Sequence, residues 1–88
     1  MAAKQASVTI ILPGRKGDVA LTAREVETLR YVLLGKTVAA IAVLLSISPR
    51  TVENYLSALK KKLGCRNKVD LVEYALAQDF YGLLNLFG

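Results

Sequence analysis

Histidine is missing from this 88-residue chain, and with it any imidazole base or imidazole metal ligand. Cysteine occurs once, as Cys65, with no disulfide partner and no metal-site spacing around it. A chain with no disulfide framework suits a reducing cytoplasm, and Cys65, following Gly64, is expected to pack as a small apolar residue. Acidic residues are scarce, seven against twelve Lys and Arg. Glu25, Glu27, Glu53, Asp70 and Glu73 fall on predicted helices among basic neighbours, and no motif pairs them. With no catalytic constellation, no metal site and no cofactor site legible, an enzyme is not expected. Long apolar runs are also lacking. The longest, Val38–Leu45, is far below the roughly 20 residues that span a bilayer. Residues 1–6 carry no signal-peptide core, and the apolar stretch from Val8 is closed at Leu12 by Pro13-Gly14. The expectation is a soluble cytoplasmic domain with no membrane partner.

What the chain does have is positive charge in one place. Its net charge is +5, and Arg50, Lys60, Lys61, Lys62, Arg66 and Lys68 are opposed between positions 50 and 68 only by Glu53. Such a patch favours a polyanion, because neutralising phosphates releases condensed counterions. An anionic membrane surface is the electrostatic competitor. It is disfavoured because the basic face lacks the bulky apolar neighbours that would enter a lipid interface.

The basic cluster overlaps a helix that the sequence delimits at both ends. Ser48 suits the cap that accepts a free N–H of the first turn, Pro49 suits the first helical position, and Gly64 suits a left-handed stop. Lys60, Lys61 and Lys62 occupy the last turn, where cations complement the helix dipole. At about 100° per residue, Val52, Leu56, Leu59 and Leu63 fall within about 60° of one another and form a core stripe. Arg50, Asn54, Ser57 and Lys61 lie on the opposite side. Glu53 and Lys60 occupy one shoulder, Ala58 and Lys62 the other. An ordinary solvated amphipathic helix shares this pattern, so the helix alone does not establish a reading surface.

Its neighbours narrow the choice. Residues 1–6 read as a leader, and Ser7–Leu12 as a β-prone run followed by turn chemistry. Val19–Leu21 can pair back as a small hairpin, with an extended arm as the equal alternative. Thr22-Ala23-Arg24-Glu25 is a capping box, with Leu21 and Val26 spaced as a hydrophobic staple, opening a first helix that ends at Gly35. A short second helix follows Thr37. Ser46-Ile47-Ser48 leaves room only for a tight turn into the third, which is the helix-turn-helix arrangement. A fourth helix starts at Asn67, capped with Asp70 at its third position, and runs through Leu71, Val72, Ala75 and Leu76. An apolar tail comes last. The expected organisation is an arm or small hairpin over 1–20, a helical domain over 21–79 and a tail over 80–88. The fold class is all-α, four helices with a short N-terminal β-prone arm or hairpin.

Leu21-Thr22-Ala23-Arg24-Glu25, Gly35, Thr37, Ile41-Ala42, Leu45, Ile47-Ser48, Thr51-Val52, Lys62-Leu63-Gly64, Arg66-Asn67-Lys68 and Leu71 together resemble the LuxR-type (NarL/FixJ) helix-turn-helix domain of bacterial transcription regulators. The resemblance covers about the central fifty residues. It implies four helices, the third in the major groove and the fourth at a contact between two monomers, often beside a receiver or small-ligand-binding domain. By position, it implies that Thr51 and Lys62 touch phosphates while Glu53, Asn54 and Ser57 face bases. Arg50 suits either a phosphate or a guanine edge, and Lys60, Lys61 and Lys68 add phosphate contacts. Val72, Ala75 and Leu76 are the expected dimer stripe.

Three departures from the family pattern stand out. Glu53 replaces a frequent lysine. A carboxylate repels phosphate yet can accept from the amino group of cytosine, so it is expected to tune specificity or to pair with a neighbouring Lys. Tyr55 replaces a common histidine at a half-buried site, where packing is the expected role. The second helix is apolar nearly all round, so some of Val43, Leu44 and Leu34 are expected to stay exposed. Val43 and Leu44 are assigned to a partner surface, met by a second copy or a regulatory domain. The principal reading is sequence-specific binding of double-stranded DNA by a homodimeric regulator. Its rival is a protein-interaction module that kept the scaffold and acts through the second helix and the tail.

Overall fold

The computed structural model describes residues 9–80. Two strands, β1 (Thr9–Gly14) and β2 (Gly17–Thr22), precede four helices: α1 (Ala23–Leu33), α2 (Val38–Leu45), α3 (Pro49–Leu63) and α4 (Lys68–Ala77). Among the described residues the fold is thus four helices with a two-stranded antiparallel hairpin, so of the two arrangements open for the N-terminal segment the paired one forms. β2 runs on to Thr22 and crosses the boundary drawn between residues 20 and 21. The leader and most of the tail, residues 81–88, lie outside the described residues.

The hairpin turns on Arg15 and Lys16, with Leu12 opposite Val19 and Ile10 opposite Leu21. Alternation puts Leu12 and Leu21 against the helices, fully buried, and leaves Ile11 on the outer face. A lone hairpin is marginal in water, so this covered face is what holds it. Its tip meets the end of α3 at close range. A Cβ on Gly14 would stand 2.9 Å from the Gly17 carbonyl oxygen and 3.1 Å from that of Lys62, so a side chain there would push the tip off the helix.

Each helix begins as its sequence specifies. Thr22 and Glu25 form the reciprocal capping box on α1, while Thr37, Ser48 and Asn67 each accept an N–H of their own first turn. At the end of α1, the N–H of Lys36 donates to Tyr31 and that of Gly35 to Val32, a Schellman pair. α2 ends the same way on Ser46, a non-glycine residue at φ 57°. This left-handed residue makes the abrupt turn into α3. The core gathers one stripe from each element, including Leu29 and Val32 of α1, Ile41 of α2, the predicted Val52, Leu56, Leu59 and Leu63 of α3, and Leu71 of α4. Cys65 is buried beside them, and burial pushes its thiol pKa up. Phe80 is also buried, its ring edge-on to Tyr74 at 5.9 Å.

Candidate nucleic-acid interface

α3 is set by its inward side. With the leucine stripe and Val52 buried, Arg50, Glu53, Asn54, Ser57 and Lys61 are exposed on the other side. Among the described residues none of these five side chains hydrogen-bonds or ion-pairs with another group of the chain. Glu53 therefore does not pair with a neighbouring Lys. Thr51 is half-buried, its hydroxyl 3.0 Å from that of Ser48. Lys60 is half-buried, and Lys68, in the first turn of α4, is exposed.

Lys62 departs from the others. Its Nζ donates to the Ala20 carbonyl at 3.0 Å and to Glu25 Oε1 at 2.7 Å. The same Oε1 accepts the Thr22 N–H at 2.9 Å, so the ammonium is tied into the capping box of α1. Glu25 is 8% exposed and Lys62 35%. The residue expected at a phosphate thus has two of its three N–H groups committed inside the domain. Glu25 in turn carries more than its cap. The shoulder position of Lys62, next to the core stripe, was the available signal.

One further expectation needs correction. Ala75 of the expected dimer stripe is fully buried against the core and cannot meet another molecule. Val72 is half-buried, Leu76 is 56% exposed, and Val69, not singled out before, is 66% exposed. The outward apolar stripe of α4 is therefore Val69, Val72 and Leu76, at helical spacing. On α2, Val43 is 79% and Leu44 49% exposed, as the apolar composition required.

The turn from α3 to α4 holds residues that sequence reasoning passed over. Arg15 donates from Nη1 to the Gly64 carbonyl at 2.9 Å, and through both terminal nitrogens to the two oxygens of Asp70, at 2.8 and 2.9 Å. Its guanidinium lies 4.8 Å from the centre of the Tyr74 ring, whose hydroxyl donates to the Pro13 carbonyl at 2.9 Å. The bidentate bonds from Arg15, with the Arg66 backbone N–H, hold the Asp70 carboxyl well below the usual carboxylate range. The same carboxylate raises the pKa of Arg15.

A profile of the family described as bacterial regulatory proteins, luxR family (GerE), matches residues 19–75. The chain belongs to the luxR family. Among luxR-type relatives it is 47% identical over 57 residues to the HTH-type quorum sensing-dependent transcriptional regulator VjbR of Brucella ovis, covering 65% of this chain and 22% of that protein. It is 44% identical over 54 residues to the regulatory protein SdiA of Escherichia coli, covering 61% and 22%. The chain thus spans about a quarter or less of the length of these luxR relatives. Among solved structures it resembles the Vibrio cholerae VqmA dimer determined in the absence of target DNA, with TM-score 0.67 and 40% identity over 73% of this chain and 31% of that one. It also resembles the VqmA–ligand–DNA complex, with TM-score 0.64 and 36% identity over 84% and 30%.

Proposed function

We propose that this domain binds double-stranded DNA in a sequence-specific manner, as the reading unit of a bacterial transcription regulator acting as a dimer. The observation that carries the proposal is the outward side of α3, with Arg50, Glu53, Asn54, Ser57 and Lys61 exposed and unused by the fold. An α-helix fits the major groove, where base edges present distinct donor and acceptor patterns. Asn54 suits a paired bond to adenine, Ser57 either role, and Arg50 a guanine edge or a phosphate. Thr51, Lys60, Lys61 and Lys68 supply the phosphate contacts. Lys62 acts indirectly, by fixing α3 to α1. Val69, Val72 and Leu76 pair two copies on half-sites about one helical turn apart. The role is binding rather than catalysis, in the cytoplasm and without a cofactor, and 21–79 with its hairpin is the binding unit.

Fluorescence anisotropy with duplex DNA selected from a random pool tests this reading. Specific recognition requires a steep fall in affinity with salt together with a preference among sequences. Weak, sequence-indifferent binding with concentration-dependent self-association favours instead a protein-interaction role. The exposure of Val43 and Leu44 is the feature that supports that second reading. In it, α2 meets a second copy or a regulatory domain, and Val43→Lys abolishes the association.

A further inference from the structure

Arg15 lies outside the segment that matches the luxR family, yet its polar contacts concentrate where two functional helices join. Its backbone N–H donates to the Leu63 carbonyl at 3.2 Å, capping the end of α3. Its side chain reaches the Gly64 carbonyl and forks onto Asp70 in the first turn of α4. Its stem packs on Gly64, where an added Cβ would lie 3.1 Å from that of Arg15. Tyr74 closes the arrangement from the second turn of α4, stacked on the guanidinium and bonded to Pro13. One arginine therefore spans a link that backbone alone would leave adjustable, and Gly64 sits in that link at φ 77°.

We propose that Arg15 is a positioning residue that fixes the angle between the reading helix α3 and the pairing helix α4, and so sets the cooperativity and spacing with which two copies occupy paired half-sites. The proposal rests on the DNA-binding dimer argued above. The lever is long enough to matter. Leu76 lies nine residues beyond Asn67, about 13 Å along α4, so a tilt of about 10° at the link shifts it by about 2 Å. Such a shift misplaces a packed apolar contact while leaving the outward side of α3 intact. Lysine could supply charge at this place but not the planar fork that grips both oxygens of Asp70.

The full chain and its Arg15→Ala, Arg15→Lys and Asp70→Asn variants are titrated against duplexes carrying one half-site, or two at spacings varied base pair by base pair. In all three variants, affinity for the single half-site and its salt dependence stay unchanged. The cooperative gain from the second half-site falls by about fivefold or more, and the preferred spacing broadens. Should Arg15→Ala fail to fold, the near-isosteric Asp70→Asn carries the comparison. Cooperativity and spacing preference retained in the folded variants overturn the proposal. Equal losses on one and two half-sites also overturn it, because Arg15 then acts on reading itself. Absence of cooperativity in the unsubstituted chain refutes the dimer reading and this proposal with it, whereas single-site specificity in that chain would leave DNA recognition standing.

Discussion

Replacing Lys62 by Met separates two roles that a cation at this place can have. If the ammonium serves the fold, the substitution removes two charge-assisted hydrogen bonds, one to Ala20 and one to Glu25. It also leaves the 8%-exposed Glu25 without its cation. A fully exposed pair would be worth about 0–1 kcal/mol, and breaking a fully buried one costs about 3–5 kcal/mol. With Lys62 35% exposed the expected loss lies between, at about 1–3 kcal/mol. In a domain of this size each kcal/mol lowers Tm by about 4–8 °C. Urea unfolding of Lys62→Met, Glu25→Gln and the double variant gives the coupling directly, and at least about 1 kcal/mol is expected. DNA titrations on the same proteins, at temperatures where all are folded, complete the test. The salt slope of Lys62→Met should match that of the unsubstituted chain, since no phosphate contact is lost. Lys61→Met, by contrast, should flatten the slope by about one unit. Unchanged stability of Lys62→Met with a flattened slope would refute the structural role and return Lys62 to the phosphates.

Glu53→Gln removes a charge that repels phosphate, so binding to unspecific DNA should tighten. Discrimination at one base pair should fall by about 1–3 kcal/mol if the carboxylate accepts from a cytosine amino group, as measured by competition with single-base variants of the preferred site. The depressed carboxyl of Asp70 adds stability in full above its unfolded pKa, about 4, and that contribution is lost as the pH falls further toward the native value. Urea midpoints should therefore decline below about pH 4, and Asp70→Asn should show a shallower decline. Ser46→Gly relieves a side chain held at φ 57° and should raise stability by about 0.5–1 kcal/mol in thermal unfolding, with DNA binding unchanged. On α4, Leu76→Glu should leave stability within about 0.5 kcal/mol and abolish cooperative binding. Ala75→Leu should instead overpack the core and cost about 1–3 kcal/mol in chemical denaturation.

Local signals were legible because their partners sit within one or two helical turns. Thr22 with Glu25, Thr37, Ser48 with Pro49, and Asn67 with Asp70 placed all four helix starts, and the leucine stripe of α3 fixed which of its sides faces solvent. The apolar excess of α2 likewise foretold that Val43 and Leu44 stay uncovered. What escaped depends on contacts remote along the chain. Arg15 and Asp70 are separated by 55 positions, Lys62 and Glu25 by 37, and Tyr74 and Pro13 by 61. In sequence, Arg15 was a turn residue, Asp70 a helix-start acid and Lys62 one of three consecutive lysines. The helical period turns Lys61 away from the core stripe and puts Lys60 and Lys62 on its two shoulders, but nothing local says which of those two reaches a partner in the domain. On α4 the period located an apolar stripe but not its centre, because Ala75 is small enough to sit at the core while Val69, further round, stays outside.

These remote contacts divide α3 along its length. Among the described residues, the polar groups by which the hairpin grips α3 belong to its last turn and the residue after it: the Lys62 ammonium, the Leu63 carbonyl and the Gly64 carbonyl. The buried acid of α1 reaches the same turn. Among the described residues, the first part of the helix, from Pro49 to Ser57, is held by Ser48 and by its inward apolar residues, and Arg50, Glu53, Asn54 and Ser57 make no tertiary polar contact. Helix-turn-helix readers address base edges chiefly with the N-terminal residues of the recognition helix. A helix with its tertiary polar anchors at its end can therefore exchange the outward residues of its first part, the reading residues of the proposal above, without disturbing the fold. That is also why Glu53, an anionic residue on a basic domain, is tolerated where it stands: its exposed carboxylate costs the isolated domain little, and under the proposed function its effect would be felt against DNA.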